Sequence, residues 1–357
     1  MEGADFSDPR HAWSAAHGTI GKVKVARLHA VGDLRLADEP VPVPEPGTSL
    51  VRVTSVGICG SDLHWWDEAG IGDATLENPL VLGHEGAGVI EDGPRRGERV
   101  AIDPAIPCET CRPCRDGYRN LCIRVRFAGH GSQDGALREF MAWPSALLHR
   151  LPDGVTDTDG AMLEPLGVAI HALDLGHLRL GSSAAVIGCG PIGLLLIQLL
   201  RRAGVDRIAA VDPLPHRLRA AGQLGADATA GPAEAGAALA GLTGSGVDAA
   251  FEIAGTDEAV QLAMAAARPG GRVVLAGIPG DDWTRFRASV ARRKGLTIAM
   301  VRRMNEVYPR AITLAERRLV DLAALVTDRF PLARASEAFE TAARRQGLKV
   351  IVEPATR

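Results

Sequence analysis

A glycine-rich hexapeptide at residues 188–193 constrains the fold more than any other feature of this 357-residue chain. It has the pattern G-x-G-x-x-G, directly follows a short apolar run at 184–187, and opens an apolar stretch at 192–203. Asp212 stands nineteen residues after the last glycine, at the end of the apolar run 207–211. A strand, a glycine turn and a helix, with an acidic residue ending the next strand, predict a parallel sheet that binds a dinucleotide.

Each glycine of the hexapeptide has a physical role in such a site. Gly188 permits a tight turn, Gly190 lets the backbone approach a pyrophosphate, and Gly193 lets the helix pack on the strand. Asp212 would accept hydrogen bonds from the ribose and repel a 2′-phosphate, which predicts NAD rather than NADP. Arg217 is either a neighbour of the ribose or a surface charge. The predicted cofactor-binding residues are Gly188, Gly190, Ile192, Gly193, Asp212 and Arg217.

The chain on either side of the hexapeptide divides into two textures. Residues 23–165 are rich in Gly, Pro and short Val-bearing runs, which predicts an irregular, β-rich half. From about residue 183 strands alternate with helices, which predicts a parallel sheet covered on both faces. Residues 305–343 show helical periodicity, with Pro331 before a second helix. The other predicted elements are strands at 247–253 and 272–276, helices at 216–224 and 257–267, and a weak helix within 232–246.

Charge and hydropathy narrow the class of partner. The formal charge of −3 gives no reason to expect a nucleic acid or an anionic membrane. No apolar run approaches the ~18 residues needed to span a bilayer. The acidic first twenty residues do not read as a secretory signal, so we expect a soluble, cytoplasmic protein with a loose extension at residues 1–22.

Four of the six cysteines fall within fifteen residues. Such clustering in a cytoplasmic chain favours a metal over disulfides. Four thiolates complete the tetrahedral shell of Zn2+ and leave no place for substrate, so this site is predicted to be structural. The predicted ligands are Cys108, Cys111, Cys114 and Cys122.

A second set of metal-binding side chains is dispersed through the first half of the chain. Cys59, His84, Glu85 and Glu164 lie in the segments GICGSDLH, GHE and EP. Taken singly each is unremarkable, but together they supply one thiolate, one imidazole and carboxylates. That mixed shell is typical of a zinc ion that keeps an open position for catalysis.

These segments together resemble the zinc-dependent medium-chain dehydrogenases, and within them the sorbitol dehydrogenase-like branch of polyol and sugar-acid dehydrogenases. The matching text, in the family's order, lies at residues 57–64, 79–85, 164–166, 188–193 and 326–332. The resemblance implies an α/β fold with a GroES-like, β-rich catalytic domain from 23–170 and 302–357. A Rossmann-type, doubly wound NAD-binding domain would occupy 171–301.

The resemblance also assigns roles to individual residues. It implies two Zn2+ ions per chain, with Cys59 and His84 as ligands of the catalytic ion and either Glu85 or Glu164 as the third. Asp62 would orient His84. The zinc ion would lower the pKa of the hydroxyl of the bound alcohol, and hydride would pass from the alcohol to NAD. The predicted catalytic residues are Ser61 and His64, which would relay the proton, and Glu164.

The substrate is less constrained, because Trp65 stands where sorbitol dehydrogenases tend to carry Tyr, and Arg303-Met304 stands for an Arg-Tyr pair. Trp65 and Arg303 are predicted to contact the substrate. A polyol, a cyclitol or a sugar acid fits, with sorbitol itself disfavoured. Two alternatives are a threonine- or amino-alcohol dehydrogenase of the same family and a non-catalytic NAD-binding sensor. The family suggests a homodimer or homotetramer, with the sheet edge near 272–276 as its interface.

Overall fold

The computed structural model describes residues 21–355. Residues 1–20, and with them nearly all of the predicted N-terminal extension, lie outside this range, as do residues 356 and 357. The first strand begins at Lys22, where the alternating apolar pattern begins. None of the helices in the described range is long and apolar enough to cross a lipid bilayer.

Strands and helices alternate regularly only in the middle of the chain. The strands are β1 (Lys22–Ala30), β2 (Asp33–Pro40), β3 (Thr48–Gly57), β4 (Gly70–Ile71), β5 (Ala74–Thr75), β6 (Leu80–Val81), β7 (Glu85–Ile90), β8 (Arg99–Ile102), β9 (Ala105–Ile106), β10 (Arg126–Phe127), β11 (Phe140–Pro144), β12 (Leu148–Arg150), β13 (Ser183–Ile187), β14 (Arg207–Val211), β15 (Ala228–Ala230), β16 (Val247–Glu252), β17 (Ala267–Leu275), β18 (Thr297–Met300), β19 (Val326–Pro331) and β20 (Lys349–Glu353). The α-helices are α1 (Gly60–Glu68), α2 (Arg112–Arg115), α3 (Asp157–Gly176), α4 (Pro191–Arg202), α5 (Pro215–Gln223), α6 (Ala235–Thr243), α7 (Asp257–Ala266), α8 (Ala288–Lys294), α9 (Tyr308–Glu316) and α10 (Ala335–Ala343).

One largely antiparallel sheet joins the two ends of the chain. Its strands run in the order β12-β8-β7-β3-β20-β19, and β11 also pairs with β3. The C-terminal strand β20 pairs antiparallel with β3, so that Ile351 stands opposite Gly57. Residues of the last strand therefore lie beside the end of β3, where the segment containing Cys59 begins.

The middle of the chain forms a parallel sheet in the order β15-β14-β13-β16-β17-β18. The order reverses between β13 and β16, and the crevice at such a reversal is where sheets of this type bind ligands. The prediction that residues 272–276 form an edge of this sheet is wrong. They lie at the end of β17, which is paired with β16 on one side and with β18 on the other. The edge is β18, only four residues long and preceded by the basic end of α8, which masks a strand pattern in the sequence.

The predicted helical segment 305–343 is also partly wrong, since β19 separates α9 from α10. Pro331 ends this strand, and α10 starts four residues later. Helix α3 lies between the two halves of the chain and is continuous across the predicted boundary at residue 170. Its buried face shares one core with Ala87 and Ala101 of the antiparallel sheet and with Leu194 of α4.

Candidate active site and metal centres

Three potential metal ligands meet at the junction of β3, α1 and β7. Cys59 precedes the first residue of α1, His84 follows a glycine turn, and Glu85 begins β7. One ligand atom from each lies within 4.8 Å of the other two. A zinc ion with bonds of about 2.0–2.3 Å can close this spacing with small side-chain shifts. The donor set of thiolate, imidazole and carboxylate therefore fits a catalytic zinc.

Asp62 contacts the side chain of one of these ligands, His84, and the backbone of another, Cys59. It is buried, and its Oδ1 lies 3.3 Å from His84 Nδ1. It also accepts hydrogen bonds from the backbone N–H of Cys59 at 2.9 Å and of Gly83 at 3.2 Å. These contacts leave Nε2 of His84 for a metal, which is the usual arrangement of a metal-bound histidine.

The charges around His84 and Asp62 favour a cation at this position. Burial lowers the pKa of His84, but Asp62 and Cys59 outweigh it and hold this pKa well above its usual value. Burial likewise raises the pKa of Asp62, yet His84 and two backbone N–H groups bring it below the usual value. A divalent cation would supply the same positive charge.

Glu85 is fully buried against an unexpected partner, the ammonium group of Lys349 on β20. Lys349 also donates a hydrogen bond to the carbonyl of Ile58 at 2.9 Å. Apart from this ion pair, no donor in the described range reaches either oxygen of Glu85. Gly57 makes room for the pair, because a Cβ there would overlap Glu85 Oε2. Sequence reasoning missed Lys349, since nothing near it in the chain marks it as a site residue.

Glu164 lies on the buried face of α3, close enough to interact electrostatically with His84 and Glu85. Burial raises the pKa of Glu164 to about 7, and the Glu85 carboxylate adds to the rise. Its oxygens are not part of the group of three ligand atoms within 4.8 Å. The geometry therefore favours Glu85 over Glu164 as the third ligand and leaves Glu164 as a neighbouring acid.

A wall of aromatic and cationic side chains stands beside His84. The Phe127 ring lies 5.3 Å from the His84 ring, and the guanidinium of Arg303 lies 4.0 Å above Phe127. Buried Trp65 meets His130 edge-on at 5.4 Å. Phe127 and His130 were not predicted from the sequence, and only the contacts of the folded chain single them out.

Burial lowers the pKa values of two side chains in this wall. Burial, with Arg302, lowers the pKa of Arg303 to about 10, and Nη1 of Arg303 is a buried donor without a partner in the described range. Burial, with Arg303 and Arg302, lowers the pKa of His130 to about 4. His130 is therefore neutral at pH 7 and can donate a hydrogen bond from one ring nitrogen and accept one at the other. Met304 does not share this position, because its sulfur packs against Gly167 of α3.

Ser61 and His64 are both on α1 and partly exposed. They are three residues apart and hence share a face of the helix. The His64 Nδ1 lies 3.3 Å from Glu68 Oε1 at the end of the helix. A Cβ on Gly280 would lie 3.8 Å from the same Glu68 oxygen, so the loop after β17 borders this end of α1. These residues consequently lie where the two halves of the chain meet.

The four clustered cysteines form a separate, compact centre. Cys111 Sγ lies 3.4 Å from Cys114 Sγ and 3.9 Å from Cys122 Sγ, and all four sulfurs lie within 4.8 Å of one another. Sulfurs at the corners of a zinc tetrahedron with bonds of about 2.3 Å stand about 3.8 Å apart. A hydrogen bond from the Thr110 backbone, with Arg124, lowers the pKa of Cys108 to about 5, which favours the thiolate. The four residues fit a closed zinc shell.

The glycine hexapeptide lies at the reversal point of the parallel sheet. Gly188 has φ +101, and a Cβ there would lie 2.9 Å from Ala254 N. A Cβ on Gly193 would overlap the carbonyl of Gly188. Gly190 caps α4, and the nearest atom to a Cβ there would be Arg217 Nη1 at 3.9 Å. The backbone is therefore open to a phosphate in front of the helix N-terminus, with a guanidinium beside it.

Asp212 directly follows the last residue of β14, and its carboxylate is buried. Its Oδ2 accepts a hydrogen bond from Cys189 N at 2.8 Å, and its Oδ1 accepts one from Leu214 N at 2.9 Å. Arg217 Nη1 lies 3.8 Å from Oδ2. A carboxylate offers about four lone-pair sites, so Asp212 retains acceptors for two ribose hydroxyls. Ile192 is partly exposed in the first turn of α4.

Known proteins match this architecture along most of its length. The alcohol dehydrogenase GroES-like domain matches residues 45–153, and the zinc-binding dehydrogenase family matches residues 191–317. A sorbitol dehydrogenase from Macaca fascicularis is 36% identical over 337 residues, which cover 91% of this chain and 94% of that protein.

Solved structures agree with these matches. L-idonate 5-dehydrogenase from Escherichia coli superposes with a TM-score of 0.86 at 25% identity, covering 93% of this chain and 98% of that one. A putative zinc-binding dehydrogenase from Sinorhizobium meliloti, bound to NADP, superposes with a TM-score of 0.86 at 29% identity, covering 94% of this chain and 100% of that one. The predicted fold class, a GroES-like β-rich part with a Rossmann-type parallel sheet, is confirmed. The chain belongs to the zinc-dependent medium-chain dehydrogenases, in their sorbitol dehydrogenase-like branch, and is an oxidoreductase that acts on alcohols.

Proposed function

We propose that the protein oxidises a secondary hydroxyl of a polyol, a cyclitol or a sugar acid to the ketone, with NAD as hydride acceptor. The observation that carries this proposal is the cluster of partly exposed Cys59 with buried His84 and Glu85, whose ligand atoms lie within 4.8 Å of one another. Zinc held by these residues would supply a Lewis acid that makes a bound hydroxyl more acidic, and NAD held at the glycine turn would supply the hydride acceptor.

The surrounding side chains bind the substrate and move its proton. Arg303 offers a guanidinium nitrogen, Nη1, that has no partner among residues 21–355 to a second hydroxyl or a carboxylate of the substrate. Ser61 receives the proton of the reacting hydroxyl, and His64 passes it to solvent beside Glu68. Glu164, with its pKa raised to about 7 chiefly by burial, can hold or release a proton near neutral pH.

We propose NAD as the cofactor because Asp212 presents a buried negative charge at the end of β14. A 2′-phosphate at this position would meet that carboxylate, and Arg217 at 3.8 Å already shares its charge with Asp212. We further propose two zinc ions per chain, one on the residues of the catalytic cluster and one on the four cysteines.

We propose the predicted division into a catalytic part at 23–170 and 302–357 and a cofactor part at 171–301, and a homodimer or homotetramer as the assembly. The interface would lie on β18, whose Met300 is 65% exposed and whose outer side pairs with no other described strand. Exposed strand edges of this kind are usually covered. Light scattering of the purified protein tests the assembly.

We propose the cytoplasm as the compartment, since all six cysteines are unpaired.

A screen of NADH formation tests the function. The zinc-loaded protein is assayed with NAD and with polyols, cyclitols, sugar acids and amino alcohols, each at the same concentration. We expect turnover with one or more of the first three classes and little with L-threonine or other amino alcohols. A strong preference for amino alcohols would favour the alternative dehydrogenase. NAD binding without turnover on any alcohol would overturn the proposal in favour of a sensor.

A further inference from the structure

The segment that contains the four cysteines contacts the segment that carries Arg303. We call residues 108–122 the cysteine lobe. Asn120 of the lobe donates its Nδ2 to the carbonyl of Arg302 at 2.9 Å. In the opposite direction, Asn305 donates its Nδ2 to the carbonyl of Gly117 at 3.3 Å. Two side-chain amides, one from each side, thus clamp the lobe to residues 302–306.

An ion pair reinforces this contact at the surface. Arg119 Nη1 lies 3.3 Å from Glu306 Oε1, and the same guanidinium pairs with Glu109 inside the lobe. Because these groups are well exposed, the ion pair adds little on its own. The largely buried Asn120 is therefore the main link between the lobe and residues 302–306.

The clamped segment has a backbone that needs outside support. Arg303 has φ 55 and Glu306 has φ 44, both in the left-handed region that non-glycine residues seldom adopt. Such conformations are unfavourable for residues other than glycine and persist only where surrounding contacts fix them. Arg303 lies between the two amide hydrogen bonds, with its guanidinium 4.0 Å above Phe127. The hydrogen bonds of the lobe thus hold the turn on which the direction of Arg303 depends.

We propose that Asn120 and Asn305 are positioning residues through which the cysteine lobe fixes the guanidinium of Arg303 for the substrate. The inference rests on the proposed function, which gives Arg303 a hydroxyl or carboxylate of the substrate to bind. The four-cysteine centre then sets the affinity for polyhydroxylated substrates as well as local stability. A small monohydric alcohol, which has no second polar group for Arg303, is indifferent to this coupling.

Three variants test the inference in the zinc-loaded full chain. Asn120→Ala and Asn305→Ala remove the clamp from opposite sides. Arg112→Ala is the matched control, because Arg112 is on the same lobe, is 90% exposed and pairs only with Asp116 there. Zinc content is measured for each variant, so that a lobe that has lost its metal is recognised.

The first readout is amide hydrogen exchange of residues 302–306 without substrate. We expect several-fold faster exchange in both asparagine variants and no change in Arg112→Ala. The second readout is steady-state kinetics with 2-propanol and with the polyol, cyclitol or sugar acid that is the best substrate in the screen above. We expect the KM for the best substrate of the screen to rise about ten-fold with kcat nearly unchanged, which corresponds to the loss of about one hydrogen bond to a charged group. The kinetic constants for 2-propanol stay the same. Adding Arg303→Ala to Asn120→Ala raises the KM for the best substrate no further than Arg303→Ala alone.

The outcomes separate the inference from the function beneath it. Unchanged exchange at 302–306 in both asparagine variants would overturn the inference even if the wild-type protein is active. Faster exchange with an unchanged KM for the best substrate in an active enzyme would also overturn it. A wild-type protein that oxidises no alcohol at all would overturn the proposed function and the role of Arg303 together.

Discussion

The ammonium group of Lys349 forms a buried ion pair with the carboxylate of Glu85, one of the three clustered metal-binding side chains. Lys349 is 2% exposed and Glu85 is fully buried, so neither charge can be solvated by water. The lysine therefore does what a metal ion would also do, which is to neutralise Glu85. Lysine and metal share one carboxylate, and this predicts that their effects on stability overlap.

We expect Lys349→Met to lower the free energy of unfolding by about 3 kcal/mol in zinc-free protein, because removal of one partner leaves a buried charge uncompensated. In zinc-loaded protein the loss should be smaller, since the cation takes over part of the compensation. Urea unfolding with and without zinc measures both values. Lys24→Met is the control, because its exposed pair with Asp38 should contribute less than about 1 kcal/mol. An equal loss with and without zinc would contradict the shared role.

The contacts of Asp62 lead to a prediction about metal affinity. Asp62→Asn keeps the shape of the side chain but weakens the contact with His84 Nδ1, now 3.3 Å long. We expect the affinity of the catalytic site for zinc to fall about 10- to 100-fold. Competition with a chromophoric chelator measures this change. Asp67→Asn, an exposed position on the same helix α1, should leave the affinity unchanged; a similar loss there would argue against the positioning role of Asp62.

Local sequence was sufficient to predict the glycine turn and the clustering of the four cysteines. Both depend on residues within a few positions of one another, so spacing alone limits their geometry. The glycine pattern at 188–193 and the cysteine spacing at 108–122 therefore translated directly into the observed turn and cluster.

Residues that meet only through the fold escaped prediction. Lys349 donates to Ile58 across 291 residues of chain, and this contact exists because β20 pairs with β3. His130 joins the pocket wall through its contact with Trp65, in a segment with no motif of its own. The prediction of the sheet edge was wrong for a related reason. The edge strand β18 has only four residues, and so short a segment carries too little pattern to be recognised as a strand.

The buried carboxylate of Asp212 predicts the cofactor preference. Asp212→Asn keeps the side-chain shape and an oxygen acceptor but removes the negative charge. We expect the ratio of kcat/KM for NADP to that for NAD to rise about ten-fold or more, because hydrogen bonds to a charged group contribute about 1.5–3 kcal/mol. Initial rates with each cofactor give this ratio. Asp206→Asn, an exposed position just before β14, is the control and should leave it as in wild type; no change in Asp212→Asn would refute the proposed role.

The most direct test of the account is NADH formation by Cys59→Ala beside wild type, with zinc counted in both proteins. Cys59 is partly exposed at the start of α1 and supplies the only thiolate of the catalytic cluster, so its loss should spare the fold. We predict about two zinc ions per wild-type chain and about one in Cys59→Ala, which keeps a cooperative thermal unfolding transition and its NAD affinity but forms no measurable NADH. Full activity in Cys59→Ala, or a wild-type enzyme that works with one zinc ion or none, would contradict the account.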